Sequence, residues 1–198
     1  MNQILILFAH PALEKSRIQY RLMKAASGIE GVTVHDLYQV YPDLMIDVPR
    51  EQALLSEHDI ILFQHPFYWY SAPAIVKEWQ DLVLEYGYAY GPEGTTLHGK
   101  TLGNVISTGG DAHNYQPGKR HNHTIGEFLI PFEQTAAICG MHYLPPFAVH
   151  GAHDISNTKI DEYAENYRQV LWHLQRELPA KEALATMHTL NHWTSNQG

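Results

Sequence analysis

Short apolar runs without polar alternation divide this chain, and they predict buried strands. Two of them, residues 4–9 and 60–63, have the length and composition of strands that are covered on both faces of a parallel sheet. The segment between them begins with the order strand, helix, strand, which is that of one βαβ unit. Its elements are a helix over residues 16–26, a glycine turn over 28–31 and an alternating strand over 32–37.

Helical spacing returns after a run of aromatic residues. Apolar side chains at Ile75, Trp79 and Tyr86 recur at that spacing. They predict a helix over residues 73–86. Its first residue, Pro73, is tolerated in the first turn of a helix, and Ser71 is able to cap it. The remaining predicted elements are a strand over 101–107, a helix over 125–138, a strand over 143–149 interrupted by Pro145 and Pro146, and a long helix from Asn157 that Pro179 should end.

The alternation of strands and helices with short links predicts an α/β protein. We expect an open, doubly wound sheet of five parallel strands in the order 2-1-3-4-5, with helices on both faces. A chain of 198 residues suits one domain. We place that domain in residues 1–178 and treat the polar residues 179–198 as a C-terminal appendage.

Charge and cysteine content narrow the partners and the compartment. The chain has 13 basic and 21 acidic residues and a formal net charge of −8, which opposes binding to nucleic acid or anionic lipid. Cys139 is its one cysteine, so an internal disulfide framework is excluded and a reducing, cytoplasmic location is expected. No apolar window is long enough for a signal peptide or a membrane span, and the protein is expected to be soluble.

Fourteen histidines raise the question of a metal site. No H-E-x-x-H motif occurs, and close pairs such as His121 with His123 or His150 with His153 lack a companion cysteine or carboxylate pattern. The sequence therefore predicts no metal site.

Ligands of doubly wound sheets bind beyond the carboxyl ends of the strands, where the strand order reverses. In the predicted order this point lies between strands 1 and 3, next to the loops 9–16, 64–73 and 107–115. The first loop has no glycine, so it is not a G-x-G-x-x-G dinucleotide turn. It brings Ser16 to the start of a helix, where the hydroxyl either binds an anion or only caps the helix, and His10, Lys15 and Arg17 add charge or hydrogen bonds.

The second loop places four aromatic residues in a row between two prolines. Aromatic rings in a loop beyond a sheet edge are costly to leave in water, so they either fill a subunit interface or flank a planar ligand. The third loop, STGGDAHNY, adds two hydroxyls and two glycines whose backbone can approach a flat ligand. A glycine turn of this kind is also common after strands and is weak by itself.

These segments resemble a known family. AHP before Ser16, QHPFYWYSAPAIVKEWQD, GYAYGPEGTTLHGK, STGG and GMHYLPPF are similar, in order and at compatible spacing over residues 2–150, to the flavodoxin-like NAD(P)H:quinone oxidoreductases. The most specific motif is H-P-x-x-W-Y-S-x-P-A-x-x-K-x-W. Within the family the chain looks most like the bacterial general-stress NAD(P)H oxidoreductases and the ancillary subunits of glutathione-gated potassium efflux systems.

The resemblance implies a flavodoxin-like, three-layer αβα fold and a homodimeric flavoenzyme. In that family NAD(P)H gives a hydride to flavin N5 and leaves, and a quinone or similar acceptor then takes the electrons. The shorter bacterial members favour FMN, which we expect here, with FAD as the alternative. The resemblance leaves the choice between NADH and NADPH open.

The resemblance also assigns residues to the flavin, loop by loop. The implied cofactor-binding residues are His10, Ser16, Ile18 and Gln19 in the first loop, Pro66, Phe67, Tyr68, Trp69 and Tyr70 in the second, and Ser107, Thr108, Gly109 and Gly110 in the third. The family usually has asparagine at position 19, so the longer Gln19 is expected to alter or lose its contact with the phosphate arm of the flavin.

Two further pairs are implied near the flavin ring. Tyr115 and a following histidine, for which we favour His121 over His123, are implied to be catalytic, because they stabilise charge as the flavin is reduced. Tyr88 and Tyr90 match aromatic residues that reach across a dimer interface to the substrate pocket, although ordinary loop residues would look the same. The predicted helix over 73–86, with Trp79 on its apolar face, is the candidate for the dimer contact.

A second function is open beside the enzyme. Relatives of similar sequence are regulatory flavoproteins, so the chain is alternatively an ancillary subunit at the cytoplasmic face of a potassium efflux antiporter. A flavodoxin-type electron carrier is disfavoured, because such carriers are usually shorter and lack the aromatic helix.

Overall fold

Parallel strands form the centre of the computed structural model, which describes residues 1–191 and 193 of the chain. The strands are β1 (Ile4–Phe8), β2 (Val32–Asp36), β3 (Ile60–Pro66), β4 (Thr101–Ser107), β5 (His142–Tyr143) and β6 (Phe147–Val149). They pair in the order β2-β1-β3-β4, and both β5 and β6 pair with β4. The predicted α/β class and the strand order 2-1-3-4-5 are confirmed, with the last position divided between two short strands.

The division of the last strand follows from its prolines. β5 lies beside Thr101 and Leu102 at the start of β4, whereas β6 lies beside its end, where Val149 pairs with Ser107. Pro145 and Pro146 stand between the two and carry no N–H to donate to the ladder. The interruption predicted from these prolines is therefore confirmed.

Helices cover both faces of the sheet, as the three-layer prediction requires. They are α1 (Ile18–Ala26), α2 (Leu37–Val40), α3 (Val48–Glu57), α4 (Ala74–Val83), α5 (Ile125–Phe128), α6 (Ile130–Ile138), α7 (Asn157–Leu174) and α8 (Lys181–Leu184). One core lies between the sheet and α1 with α7, and the other lies between the sheet and α3, α4 and α6. Within the described part of the chain, no helix has the length and apolar character needed to cross a membrane.

Helix α3 is the longest described element that the sequence pattern did not predict. It begins after Asp47, whose side chain accepts a hydrogen bond from the N–H of Arg50, and a proline occupies its first turn. Its buried side chains are Leu55 and Glu51. A buried glutamate breaks the apolar periodicity, and the helix was missed for that reason.

Several predicted boundaries were wrong. The first helix starts at Ile18, after a 3-10 turn over Leu13–Lys15, and Leu37 begins α2 instead of ending β2. The helix predicted over 125–138 is two helices, α5 and α6, that meet at Leu129.

Two helix ends also differ from their predicted signals. Pro73 itself is the N-cap of α4, and no side chain caps that helix, so the predicted cap at Ser71 is wrong. The helix ends at Val83, before Tyr86. α7 ends at Leu174, well before Pro179, and a turn in which the N–H groups of Arg176 and Glu177 donate to the oxygen of His173 follows it.

The segment after α7 packs on the chain's own sheet edge. The N–H of Leu190 donates to the Pro146 oxygen at 3.0 Å. The Asn191 amide bonds in both directions with the Ala148 backbone, accepting from its N–H at 2.9 Å and donating to its oxygen at 2.7 Å. These bonds cover the free edge of β6, which would otherwise expose unpaired backbone groups. Residues 192 and 194–198 of the predicted appendage lie outside the described residues.

Candidate functional site

A cavity of about 500 Å³ opens beyond the carboxyl ends of β1, β3 and β4, where the strand order reverses. We call it the switch-point cavity. It is lined by His10, Ala12, Lys15, Ser16, Arg17, Ile18, Pro66, Phe67, Tyr68, Trp69, Ser107, Gly109, Ala152 and His153. The three loops chosen from the sequence all reach this cavity, which is the place the predicted strand order gives.

Ser16 caps the helix start and also lines the cavity. Its Oγ accepts a hydrogen bond from the N–H of Gln19 at 3.1 Å, in the manner of a helix cap. Because the oxygen accepts there, its own hydrogen is available to donate into the cavity that Ser16 lines. Lys15 and Arg17 border the same opening with positive charge. The first loop therefore offers a hydroxyl, cations and a helix start to an anion.

Gln19 lies behind the cavity wall and does not line it. Its side chain is fully buried, and its Nε2 donates to the oxygen of His65 at 2.9 Å and to Oγ of Ser107 at 3.1 Å. Its Oε1 accepts from Gln64 at 3.1 Å. Gln19 thus donates to the hydroxyl oxygens of both Ser16 and Ser107, which leaves the hydrogens of both hydroxyls free to donate elsewhere.

The aromatic loop after β3 is held in an unusual backbone conformation. Its base is fixed where the N–H of Phe67 donates to the oxygen of Ser107 at 2.8 Å. The following Trp69 and Tyr70 have φ values of 51° and 64°, which is the left-handed region that such residues rarely adopt. Each such residue costs on the order of 1–3 kcal/mol, and strain of this kind is concentrated at functional sites. The loop presents Trp69 with 93% of its side-chain surface exposed.

Burial fixes the protonation state of His10. It lowers the pKa of this imidazole, while Glu14 and Asp36 act in the opposite direction. The N–H of Ala12 donates to Nδ1 at 3.1 Å, so the neutral ring carries its hydrogen on Nε2. The ring meets Tyr68 edge to face, with centroids 6.2 Å apart. His10 is therefore a neutral donor at the cavity.

The loop after β6 also lines the cavity, through Ala152 and His153, and the sequence analysis missed it. A Cβ atom on Gly109 would lie 2.9 Å from Nε2 of His153, so glycine lets the two loops approach each other there. Arg17 ties the same loop to α1, because its guanidinium donates to the oxygen of Ile155 at 2.7 Å. The strand-end rule pointed to this loop as well, since it follows the strand beside β4.

The proposed catalytic pair lies beside the cavity, in an aromatic cluster formed by Phe67, Tyr70, Tyr115, His121 and Phe128. Tyr115 stacks on His121 with ring centroids 4.3 Å apart, and the Tyr70 hydroxyl lies 3.4 Å from Nδ1 of His121. Phe67 belongs both to this cluster and to the cavity wall, and its ring centroid lies 6.0 Å from that of Tyr115. Burial raises the pKa of Tyr115 above its ordinary value, so the hydroxyl stays a donor even at alkaline pH.

Thr108 and Gly110 shape the turn between the cavity and the aromatic cluster. The Thr108 hydroxyl donates to the oxygen of Gly110 at 2.8 Å and accepts from Nδ1 of His150 at 2.9 Å. A Cβ atom on Gly110 would lie 3.3 Å from Nε2 of His121 and 3.6 Å from the Tyr115 oxygen. Neither residue lines the cavity, but the turn they form carries Ser107, Gly109 and the aromatic pair into their places.

Trp79, Tyr88 and Tyr90, which the sequence analysis connected with a dimer interface, each contact other residues of their own chain. Trp79 is buried in its own chain, where its Nε1 donates to Glu51 at 2.7 Å, so this side chain packs in the core and not against a partner. The Tyr88 hydroxyl donates to the oxygen of Gln52 at 2.9 Å, also within the chain. Tyr90 meets Tyr86 edge to face. Neither tyrosine lines the switch-point cavity.

The family model described as a flavodoxin-like fold matches residues 2–171. The chain belongs to the flavodoxin-like family. Among the described residues of this family member, no group of three or more histidine, cysteine, aspartate or glutamate side chains is arranged to hold a metal ion.

Relatives within the flavodoxin-like family carry different names. The glutathione-regulated potassium-efflux system ancillary protein KefG of Shigella flexneri serotype 5b is 45% identical over 165 residues, which are 83% of this chain and 90% of that protein. General stress protein 14 of Treponema denticola, solved in complex with FMN, is 36% identical with a TM-score of 0.81, covering 86% of this chain and 97% of that one. An NADPH-quinone reductase of P. pentosaceus is 35% identical with a TM-score of 0.78, covering 89% and 99%.

Proposed function

We propose that this protein is an FMN-dependent NAD(P)H:quinone oxidoreductase that works by two-electron, ping-pong hydride transfer. The observation that carries the proposal is the composition of the switch-point cavity. An anion-binding helix start at Ser16 faces the cavity together with the exposed aromatic loop around Trp69. A flavin mononucleotide joins a phosphate to a flat aromatic ring, and it requires both features in one site.

The residues present fit FMN. Ser16, Lys15 and Arg17 would hold the phosphate, and the segment from Pro66 to Trp69 with the bare backbone of Gly109 would hold the ring. The FMN complex of the Treponema general stress protein supports FMN, and FAD is the alternative cofactor. When bound, FMN would supply a ring that accepts a hydride from NAD(P)H and then passes two electrons to a quinone-like acceptor.

The chain's own groups would stabilise the charge that this chemistry creates. Tyr115, whose hydroxyl can donate a hydrogen bond, and the stacked His121 are the proposed catalytic residues. We further propose a homodimer in which Tyr88 and Tyr90 line the partner's substrate pocket. The exposed Tyr86, with 69% of its surface accessible, supports an interface beside Tyr90. We further propose a cytoplasmic location, because a chain with a single cysteine suits a reducing compartment.

The visible absorption spectrum of the purified protein tests this function. We expect flavin bands, release of FMN on denaturation as identified by chromatography, and bleaching of the bands by NADPH or NADH followed by recovery when menadione is added. Protein that shows no flavin absorbance and binds neither FMN nor FAD at micromolar concentration contradicts the proposal.

A second candidate function rests on the similarity to KefG, which is 45% identical over 90% of its length. In that case the protein would be a flavoprotein that regulates a potassium efflux antiporter from the cytoplasmic face. Co-purification separates the two functions. Stable recovery with antiporter-containing membranes favours the regulatory subunit, and recovery as a free dimer with quinone reductase activity favours the enzyme alone.

A further inference from the structure

A chain of hydrogen bonds crosses the buried sheet and ends at the base of the aromatic loop. The Tyr143 hydroxyl bonds to Oδ1 of Asn104 at 2.7 Å, and Nδ2 of Asn104 lies 3.2 Å from Nε2 of His65. Nδ1 of His65 then lies 3.0 Å from the oxygen of Pro66. His65 and Asn104 are almost completely buried inside β3 and β4. These three hydrogen bonds therefore connect β5 to the wall of the switch-point cavity.

The donors and acceptors in this chain have one consistent direction. The Pro66 oxygen can only accept, so Nδ1 of His65 must carry a hydrogen. Burial lowers the pKa of His65 to about 4, so the ring is neutral and Nε2 holds a lone pair. The Asn104 amide nitrogen must then face Nε2, and its oxygen must accept from Tyr143. Burial raises the pKa of Tyr143, which keeps that hydroxyl a donor.

This direction fixes the peptide group that joins Pro66 to Phe67. Its oxygen accepts from His65, and its N–H donates to the oxygen of Ser107 at 2.8 Å. Both ends of the peptide are thus held by interior groups. The His65 ring is itself stacked on Phe132, with centroids 5.8 Å apart and planes 22° apart. The strained residues Trp69 and Tyr70 therefore follow a peptide group whose rotation these bonds restrict.

We propose that His65, Asn104 and Tyr143 are positioning residues for the aromatic loop of the switch-point cavity. Tyr143 orients the Asn104 amide, the amide selects one tautomer of His65, and that tautomer holds the Pro66 carbonyl. This anchoring offsets the energetic cost of the left-handed backbone conformation at Trp69 and Tyr70. The proposal rests on the proposed function, because it takes this loop to be the wall that holds FMN.

Tyr143→Phe tests the proposal with Tyr41→Phe as the matched control. Tyr41 also uses its hydroxyl in a buried bond, to Glu51 at 2.6 Å, but its network does not include His65. FMN-loaded protein labelled with ¹⁵N-histidine would be studied by two-bond ¹H–¹⁵N correlation at neutral pH. The His65 signals are identified by their loss in His65→Gln. The FMN dissociation constant of each variant is measured alongside.

The wild-type protein should show His65 protonated on Nδ1 only. Tyr143→Phe should give the other tautomer or an exchanging mixture and weaken FMN binding by about 2- to 10-fold, as expected for one lost hydrogen bond. Tyr41→Phe should change neither. Asn104→Asp gives a second test, because a carboxylate cannot donate to Nε2 and should move the hydrogen onto that atom.

Two failures are distinguishable. Wild-type protein that does not bind FMN contradicts the proposed function. Wild-type protein that binds FMN, with Tyr143→Phe and Asn104→Asp retaining the wild-type tautomer and affinity, contradicts the positioning role. Equal effects of Tyr143→Phe and Tyr41→Phe would also overturn it, because they would reduce the role of Tyr143 to general stability.

Discussion

The Tyr115 ring lies nearly parallel to the His121 ring, with centroids 4.3 Å apart and planes 20° apart. His123 is the other candidate from the sequence. Its Nδ1 lies 3.6 Å from Oε1 of Glu127, and its ring meets the Phe128 ring edge to face. The loop spacing alone did not separate the two histidines. The stacking favours His121 over His123 as the histidine proposed to act together with Tyr115.

This pairing predicts separable effects of three substitutions. Tyr115→Phe keeps the ring but removes the donor, so FMN should stay bound while its reduction by NADPH slows by about 100-fold, the usual effect of losing one donor to developing charge. His121→Gln should slow the same step. Single-turnover stopped-flow absorbance measures both rates.

His123→Gln is the control for this experiment. It removes a histidine from the same loop but leaves the stacked pair intact, so reduction should proceed at the wild-type rate. Equal slowing by His121→Gln and His123→Gln would remove His121 from the mechanism.

Trp69 is expected to matter for FMN far more than for folding. Its side chain is 93% exposed, so Trp69→Ala should change the free energy of unfolding by less than about 0.5 kcal/mol. Loss of a flat ring that stacks on the flavin should weaken FMN binding by roughly 10-fold or more. Equilibrium denaturation and fluorescence titration with FMN measure the two quantities.

Trp172 on α7 provides the matched tryptophan, because it is 48% exposed and stacks with Arg176. Trp172→Ala should leave FMN binding unchanged. The interpretation of Trp69 as a flavin wall fails if both variants bind FMN equally well.

The sequence predicted those features that depend on neighbouring residues. Apolar runs predicted the strands, their alternation with helices predicted the doubly wound sheet, and the rule that ligands bind at strand ends predicted the place of the cavity. The sequence could not show that the Gln19 side chain points into the protein interior, because that side chain bonds to residues on β3 and β4. The same reason applies to His153, which reaches the cavity across Gly109 from a distant part of the chain. Tertiary contacts of this kind leave no periodic pattern.

Glu51 predicts a pH dependence of stability. Burial alone would raise the pKa of this carboxyl, but hydrogen bonds from His35, Tyr41 and Trp79 lower it below its ordinary value. A carboxyl whose pKa is lowered by folding contributes stability above its unfolded pKa, and it loses that contribution as the pH falls through the folded pKa. Glu51→Gln should therefore cost about 1–3 kcal/mol at neutral pH.

The difference between wild type and Glu51→Gln should shrink as the pH is lowered below about 4.5, near the ordinary pKa of glutamate. Urea denaturation of both proteins from pH 7 to pH 3 measures this difference, which isolates Glu51 from the other carboxyl groups. A difference that stays constant over that range would show that the carboxylate charge does not contribute.

Asn191 predicts that the C-terminal segment stabilises the sheet edge. Its amide makes both of its bonds with the buried backbone of Ala148, so Asn191→Ala leaves two backbone groups without these partners and should lower the free energy of unfolding by about 1–3 kcal/mol. Asn157→Ala, at the exposed start of α7, is a control of the same chemical type, because it removes an exposed bond from Arg17 and no bond to buried backbone. Removal of residues 180–198 should have a larger effect and promote self-association, because an uncovered edge strand pairs with other chains. Denaturation and light scattering measure these outcomes, and a shortened protein as stable and monodisperse as the full chain would show that the segment does not protect the edge.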